Sequence, residues 1–211
     1  MTGTDPDPQT LSRLGDVSRE TLDRLKRHVA HLTQWQSKLN LIGSSEIDNI
    51  WDRHILDCAQ LMPFIKPVHG PKIDLGSGAG FPGMVLAILG VPDITLVESN
   101  IRKCVFLRQA ARLTETPVDI FEGRLEDYRP PVPARAITAR ALAPLDKLLD
   151  MAHPLLAADG VCLFLKGRNF KQELTDSRKR WHINAEILPS ESDSSGRIVI
   201  IKGLEPIHAN P

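Results

Sequence analysis

The run Asp74-Leu75-Gly76-Ser77-Gly78-Ala79-Gly80-Phe81-Pro82-Gly83 decides the fold. It follows a short β-rich segment, 72–75, and leads into a helical one, so it predicts a tight turn between a strand and a helix. Glycines allow the backbone to turn sharply and allow a ligand to approach the main chain without a Cβ in the way. In open parallel sheets such turns lie at the carboxyl ends of the strands, where ligands bind.

Beyond this turn, β-rich runs alternate with helical runs, which predicts βαβ units and a mostly parallel sheet covered on both faces. The predicted strands are 72–75, 94–97, 118–121, 136–138, 160–165, 183–188 and 197–202, and the predicted helices are 82–89, 101–113, 145–156 and 169–180. No helix separates the last two strands, which predicts an antiparallel hairpin at one edge, turning around 192–196.

The segment before the sheet has a helical pattern. Apolar residues at steps of three and four predict an amphipathic helix over 19–41, and a second helix is predicted over 47–65. Gly70-Pro71 then breaks the chain. We therefore predict a disordered tail at 1–15, an N-terminal helical extension at 16–69 and an α/β domain at 70–205.

Composition narrows the class of protein. The 211 residues carry 26 Lys and Arg against 26 Asp and Glu, and 42% are hydrophobic, which predicts a folded core and argues against nucleic-acid binding by bulk charge. No apolar run reaches the roughly 18 residues of a membrane span. The polar residues 1–9 do not predict a secretory signal, and the three cysteines have neither disulfide nor metal-ligand spacing, so a cytoplasmic protein without a metal is expected.

The glycine-rich run fits two cofactor classes. Gly78–Gly83 matches the dinucleotide pattern G-x-G-x-x-G, but the full run is D-x-G-x-G-x-G, which is typical of S-adenosylmethionine methyltransferases. An acid at Asp74 suits a cofactor that bears a cation and would repel a pyrophosphate. Glu98, 22 positions after Gly76, ends the second strand and is placed to accept hydrogen bonds from ribose hydroxyls in either class. The loop after the third strand, 124–127, is expected near an adenine.

Four further residues are candidates for the cofactor or the substrate side of the site. Arg53 and His54 lie on the predicted helix 47–65, although Arg53 and Asp57 have the spacing of a simple ion pair and His54 alone has the features of a structural histidine. Arg140 and Lys166 follow adjacent parallel strands, which places two cations at one edge of the sheet. Two basic segments, 102–112 and 166–180, are candidates for phosphate contacts, with solvated helix faces as the alternative.

With these motifs in place, the chain resembles the glucose-inhibited division protein B family, bacterial small-subunit ribosomal RNA (guanine-N7)-methyltransferases. The resemblance covers about 20–203 and rests on the following residues: Trp35, Asn40-Leu41, Arg53-His54-Ile55-Leu56-Asp57, the glycine-rich run, Arg108, Arg124-Leu125-Glu126, Ala139-Arg140-Ala141 and Leu165-Lys166-Gly167. It implies a class I S-adenosylmethionine-dependent methyltransferase domain, with a Rossmann-like sheet, at 70–205. It also implies cofactor contacts at Gly76, Phe81, Leu125, Glu126 and Arg140, to which the residue pattern adds Gly78 and Glu98.

Missing motifs favour one kind of methyl transfer. The chain has no Asn/Asp-Pro-Pro-aromatic tetrapeptide for an exocyclic amine and no Pro-Cys pair for covalent attack on a pyrimidine. Guanine N7 has a free lone pair and needs no general base, so no catalytic side chain is assigned. The predicted substrate is small-subunit ribosomal RNA or the ribosomal subunit, and the residues predicted to position it are Arg53, His54 and Lys166. The protein is predicted to be a monomer. An NAD-type oxidoreductase and a non-catalytic RNA-binding module remain as alternatives.

Overall fold

The computed structural model describes residues 5–207, and a sheet of seven strands forms its centre. The strands are β1 Lys72–Leu75, β2 Ile94–Glu98, β3 Asp119–Glu122, β4 Ala134–Arg140, β5 Leu156–Lys166, β6 Trp181–Pro189 and β7 Arg197–Pro206. Their order is β3-β2-β1-β4-β5-β7-β6; the first five are parallel, and β7 is antiparallel to both β5 and β6. The predicted parallel sheet with an antiparallel edge hairpin is confirmed.

Helices cover both faces of the sheet. They are α1 Pro8–Leu14, α2 Arg19–Gln36, α3 Asp57–Ala59, α4 Met62–Ile65, α5 Gly83–Ile88, α6 Ile101–Leu113, α7 Leu145–Ala152 and α8 Phe170–Ser177. On one face the N-terminal helices pack with α5 and α6 in a core that includes Leu25, Phe106 and Leu163. On the other face α7 and α8 pack around Phe164. The helical extension and the sheet therefore share a core, and the domain boundaries at 16–69 and 70–205 stay a prediction.

The predicted disordered tail at 1–15 is wrong over most of its length. Residues 8–14 form α1, because Asp7 caps the helix by accepting a hydrogen bond from the Thr10 N–H at 2.7 Å. Thr10 is buried, and Arg13 reaches Asp52 at 3.0 Å. These contacts join α1 to a segment about forty positions away in the chain, which local composition does not reveal. The first four residues lie outside the described part of the chain.

The two N-terminal helices are shorter and less regular than predicted. Helix α2 ends at Gln36, whose side-chain oxygen accepts hydrogen bonds from the N–H groups of Leu41 and Ile42 and turns the chain away. The predicted helix 47–65 is broken into a 3₁₀ turn at Ser44–Asn49, a π-helical turn at Trp51–Leu56, and then α3 and α4. π-helical turns occur frequently at functional sites.

The strand order changes direction between β1 and β4, which is where open α/β sheets bind their ligands. The glycine-rich turn follows β1, Glu98 ends β2, and Arg140 and Lys166 end β4 and β5. The register pairs Arg140 with Leu165, so Arg140 and Lys166 lie at the same edge. The fold thus brings the sequence candidates to one side of the molecule.

Two features are absent from residues 5–207, a helix that could cross a membrane and a cluster of metal ligands. No helix in that range combines the length and apolar character that a membrane crossing requires. Within the same range no three His, Cys, Asp or Glu side chains are grouped so as to hold a metal ion. The three cysteines are free and buried, as the sequence predicts.

Candidate active site

The glycine-rich turn is built over a buried carboxylate. Asp74 is fully buried at the end of β1 and accepts a hydrogen bond from the Thr138 hydroxyl at 2.6 Å, while its Oδ2 has no partner among residues 5–207. Burial raises the pKa of Asp74 to about 6. A Cβ on Gly83 would lie 2.6 Å from the Asp74 Cβ, so only glycine lets α5 begin this close to β1. Asp74 is therefore buried beneath the turn, whereas the sequence predicts an acid near the positive charge of the cofactor.

Glu98 ties this turn to the neighbouring strand. Its Oε2 accepts a hydrogen bond from the Gly78 N–H at 2.9 Å, and its Oε1 accepts one from the Asn100 N–H at 2.8 Å. A carboxylate has about four acceptor positions, so both oxygens retain capacity for ribose hydroxyls. The sequence predicted the ligand role of Glu98, but not the bond to Gly78 that shapes the turn.

A cavity of about 580 Å³ opens at the carboxyl ends of β1, β2 and β3. Its walls include Gly76, Glu98, Leu125 and Glu126, four of the seven predicted cofactor contacts, together with Leu142 and Met151. The volume lies in the range of small-molecule sites. The lining carries two carboxylates, Glu98 and Glu126, beside two cations, Lys103 and Arg124, so it offers acceptors for ligand hydroxyl groups without an excess of either charge. The residues present therefore fit S-adenosylmethionine.

Three predicted cofactor contacts do not line this cavity. Gly78 lies in the turn beside Glu98, and Arg140 faces a second, smaller cavity. Phe81 is buried: the His54 ring stacks on it with centroids 4.8 Å apart, the His28 ring meets it edge-on, and the Arg140 guanidinium lies 5.6 Å from its centroid. A cofactor contact from Phe81 would have to come from its main chain, and the roles of these three residues stay a prediction.

The second cavity, of about 240 Å³, is polar and brings together Arg53, Arg140 and Lys166, three of the predicted substrate-side and cofactor residues. It borders the first cavity, because Ala141 lines both. Ala141 follows β4 with a φ of +51°, a conformation that L-residues rarely adopt and that often marks a functional site. The two cavities therefore meet at the end of β4.

Each cation of this polar cavity is held by a carboxylate. Arg140 Nε lies 3.3 Å from Asp57, and one of its other nitrogens donates to the Arg53 carbonyl at 2.7 Å. Arg53 donates to Asp193 at 2.6 Å, and Lys166 Nζ lies 2.6 Å from Glu173. The helical spacing left an Arg53–Asp57 ion pair open as one interpretation, but Asp57 instead contacts Arg140. The cavity is therefore close to electrically balanced.

A loop between β6 and β7, residues 190–196, forms a wall that the sequence analysis did not assign. Asp57 Oδ1 accepts hydrogen bonds from the hydroxyls of Ser190 and Ser192, and Asp193 contacts Arg53. These pairs join residues more than 130 positions apart, so no local pattern signals them. The loop links the N-terminal extension to the antiparallel edge across the polar cavity.

His54 lies beside this cavity, and its imidazole stays uncharged at neutral pH. Its ring is buried, and neither ring nitrogen makes a hydrogen bond within residues 5–207. Burial, with the nearby charges of Arg140 and Arg53, lowers the pKa of His54 to about 3. The structural interpretation of His54 is therefore favoured by its surroundings, and a direct substrate contact stays a prediction.

Only some of the cations in the basic segments 102–112 and 166–180 lie near the two cavities. The first residues of α6 and α8 lie at the carboxyl edge of the sheet, and Lys103 lines the larger cavity. Arg108 is paired with Glu122 at 2.7 Å, and Arg112 lies in the last turn of α6, away from that edge. Phosphate contacts therefore suit Arg102, Lys103 and Arg168 better than Arg108 and Arg112, and RNA contact by either segment stays a prediction.

Glu98→Ala should lower the affinity for S-adenosylmethionine by about 1.5–3 kcal/mol, the usual contribution of hydrogen bonds to a charged group. The change removes the acceptor for ribose and also the bond that holds the Gly78 N–H. Calorimetric titration measures the effect. Glu122→Ala is the matched control, because Glu122 pairs with Glu98 in register on the next strand but does not line the cavity. A loss below about 0.5 kcal/mol for Glu98→Ala would contradict the assignment.

The sheet, the glycine-rich turn and the acid at the end of β2 define a class I methyltransferase fold, and solved structures agree. The O-methyltransferase from Bacillus cereus in complex with SAH superposes with a TM-score of 0.60 at 11% identity, covering 92% of this chain and 96% of that one. The ribosomal protein L11 methylase from Lactobacillus delbrueckii subsp. bulgaricus gives 0.54 at 16% identity, covering 70% and 77%.

Sequence comparison identifies the family. The model of the family described as rRNA small subunit methyltransferase G matches residues 21–203. The protein named ribosomal RNA small subunit methyltransferase G from Paramagnetospirillum magneticum is 49% identical to this chain, and the match covers 97% of this chain and 99% of that protein. The protein of the same name from Gluconobacter oxydans is 47% identical, and the match covers 90% of this chain and 98% of that protein. The chain belongs to this family of rRNA methyltransferases, which confirms the resemblance and excludes the oxidoreductase alternative.

Proposed function

We propose that this protein transfers the methyl group of S-adenosylmethionine to N7 of a guanine in small-subunit ribosomal RNA. The observation that carries the proposal is the pair of cavities that meet at Ala141, one suited to the cofactor and one suited to a base. Family membership supports the enzyme class, the cofactor and the RNA substrate. The choice of N7 rests on the resemblance and on the chemistry below.

The cofactor cavity is expected to hold the nucleoside part of the cofactor through its acidic and apolar walls. Glu98 would accept hydrogen bonds from the ribose hydroxyls, and Leu125 and Glu126, which line the same cavity, would contact the adenine. When bound, S-adenosylmethionine supplies a methyl group on a positively charged sulfur. The task of the protein is then to position two reactants, which can provide much of the rate enhancement by itself.

The polar cavity suits a reaction that leaves positive charge on the base. N7-methylguanine is cationic, and unpaired arginine or lysine side chains beside it would oppose its formation. Here Arg140 is paired with Asp57, Arg53 with Asp193, and Lys166 with Glu173. We assign Arg140 to the cofactor side and Arg53 and Lys166 to positioning the RNA, with His54 packed behind them.

The single-turnover rate of methyl transfer should be nearly flat between about pH 6.5 and 9, because N7 has a free lone pair and no side chain must accept a proton. The site is consistent with this, since the pKa of His54 is lowered to about 3 and that of Asp74 is raised only to about 6. Rapid-quench measurements across this range provide the test. A log rate that rises with unit slope would show that a base is required and would move the target to an amine or a hydroxyl.

The experiment that tests the class of reaction uses two titrations and one labelling assay. Calorimetric titration of the purified protein should show binding of S-adenosylmethionine and no binding of NADH. The purified protein should then transfer a labelled methyl group to small-subunit RNA or to small ribosomal subunits, and not to large-subunit RNA. RNA binding without labelled product would favour a non-catalytic RNA-binding module.

We further propose that the protein acts in the cytoplasm and that it is a monomer. Sedimentation with and without RNA measures the oligomeric state.

A further inference from the structure

One carboxylate of the polar cavity is not held by a cation at hydrogen-bond distance. Glu46 lies in the 3₁₀ turn Ser44–Asn49, and its side chain lines the cavity. Its Oε2 accepts a hydrogen bond from the Gly43 N–H at 3.1 Å. Its Oε1 makes no hydrogen bond within residues 5–207, and the nearest cation, Arg53, is 3.7 Å away. Glu46 therefore has free acceptor capacity in the cavity.

The other two carboxylates in the wall are fully engaged. Asp57 accepts from Ser190 and Ser192 through Oδ1 and faces Arg140 through Oδ2. Asp193 accepts from Ser195 through Oδ1 and from Arg53 through Oδ2. Beside Glu46, the buried His54 directs Nε2 toward the carboxylate at 3.4 Å without forming a hydrogen bond of normal geometry. Glu46 is thus the acidic side chain of this cavity that a ligand can engage without breaking a hydrogen-bonded pair, since its ion pair with Arg53 is at 3.7 Å.

Guanine has hydrogen-bond donors that match the free acceptor capacity of the Glu46 carboxylate. Guanine presents two adjacent donors, N1–H and the N2 amino group, on the edge opposite N7, and enzymes that modify an extruded base read such an edge by hydrogen bonds. A carboxylate can accept from both donors at once, whereas the same edge of adenine offers no such pair. A carboxylate that engages this edge leaves N7 free to face the cofactor.

We propose that Glu46 is a specificity-determining residue that accepts hydrogen bonds from N1–H and N2–H₂ of the target guanine; this inference rests on the proposed function. Glu46 lies on the N-terminal extension, and the cofactor cavity lies on the sheet, so the polar cavity between them would hold the base. The role also gives the N-terminal extension a task in base selection.

The test compares guanosine with inosine, which keeps N1–H and lacks the N2 amino group. Small subunits are reconstituted with ribosomal RNA that carries either nucleoside at the methylated position, placed there by ligation. For the wild-type protein, inosine should lower kcat/KM by about 10-fold, because one hydrogen bond to a charged group is lost. Glu46→Gln should lower kcat/KM for guanosine by about 10- to 100-fold and reduce the inosine penalty to within about 3-fold.

Two further variants separate this role from a general structural one. Asp48→Asn removes the same charge from an exposed position in the same 3₁₀ turn and should retain both the wild-type rate and the wild-type inosine penalty. Glu46→Asp keeps a carboxylate and should retain the discrimination even where its rate falls. Calorimetric affinity for S-adenosylmethionine should be unchanged in all three, which reports that the fold is intact.

The results that overturn the inference are distinct from those that overturn the proposed function. Wild-type protein that uses inosine as well as guanosine, or Glu46→Gln with the full wild-type penalty, contradicts the role of Glu46. The comparison of inosine with guanosine uses the wild-type protein alone, so it does not depend on whether a variant folds. Wild-type protein that forms no 7-methylguanosine on unmodified RNA contradicts the proposed function instead.

Discussion

Gly78→Val is expected to reduce the affinity for S-adenosylmethionine by about 100-fold, or about 2.7 kcal/mol. Gly78 lies in the turn after β1, and its N–H donates to Glu98. An added Cβ would meet only the Gly76 carbonyl at 3.7 Å, so the valine side chain would occupy open space beside the proposed ribose acceptor. The second glycine of such turns lets the backbone approach the cofactor closely. Calorimetric titration measures the loss.

The backbone strain of this change needs its own control, since Gly78 has a φ of +55°. Gly90→Val supplies it: Gly90 has a φ of +96°, an added Cβ would meet no atom within 4 Å, and the residue lies before β2, at the opposite end of the strand from the cofactor cavity. Gly90→Val should lower the melting temperature and leave the cofactor affinity at the wild-type value. Equal cofactor affinity for Gly78→Val and wild type would contradict the position of the site.

Acidification is expected to destabilise the protein through His28, on the order of 3 kcal/mol between pH 6.5 and about 4. His28 is buried on α2 between Phe81 and Phe106, and neither ring nitrogen makes a hydrogen bond within the described residues. Burial lowers the pKa of His28 to about 4 from 6.5. The folded state therefore resists protonation, so the unfolded state takes up the proton first as the pH falls, and stability is full above pH 6.5.

The contribution of His28 is measured by comparing the pH dependence of stability in His28→Leu with that of the wild type. The comparison is needed because Asp74 changes stability with pH in the opposite direction. The raised pKa of Asp74, about 6, adds stability as the pH falls below that value, in the wild type and the variant alike. The free energy of unfolding, from urea titrations at pH 7 and pH 5, should fall less steeply for His28→Leu than for the wild type. His182→Gln, at an exposed position on β6, should follow the wild-type curve. Parallel curves for wild type and His28→Leu would contradict the account.

The sequence predicts those parts of the site that local backbone chemistry determines. The glycine-rich turn, the acid at Glu98 and the cations that end β4 and β5 are each signalled within a few residues, and parallel strands bring their carboxyl ends together. Apolar runs likewise predict the strands, so the sheet follows from pattern alone.

The remaining parts depend on side chains that meet only in the folded chain. Arg53 contacts Asp193 across 140 positions, and Asp57 contacts Arg140 instead of the helical partner that spacing suggested. The π-helical turn at Trp51–Leu56 arises where the N-terminal extension packs on the sheet, and no helix propensity predicts it. Glu46 belongs to the same group, because its free oxygen is meaningful only beside the cavity that Arg140 and Lys166 complete.

The position of the transferred methyl group tests the central claim most directly. Small ribosomal subunits are treated with the purified protein and S-adenosylmethionine that carries a deuterated methyl group, and the RNA is digested to nucleosides for mass spectrometry. We predict a single labelled product, 7-methylguanosine, identified against its isomers by retention time and by its fixed positive charge. A label in N2-methylguanosine, in a ribose-methylated nucleoside or in a pyrimidine would contradict the account.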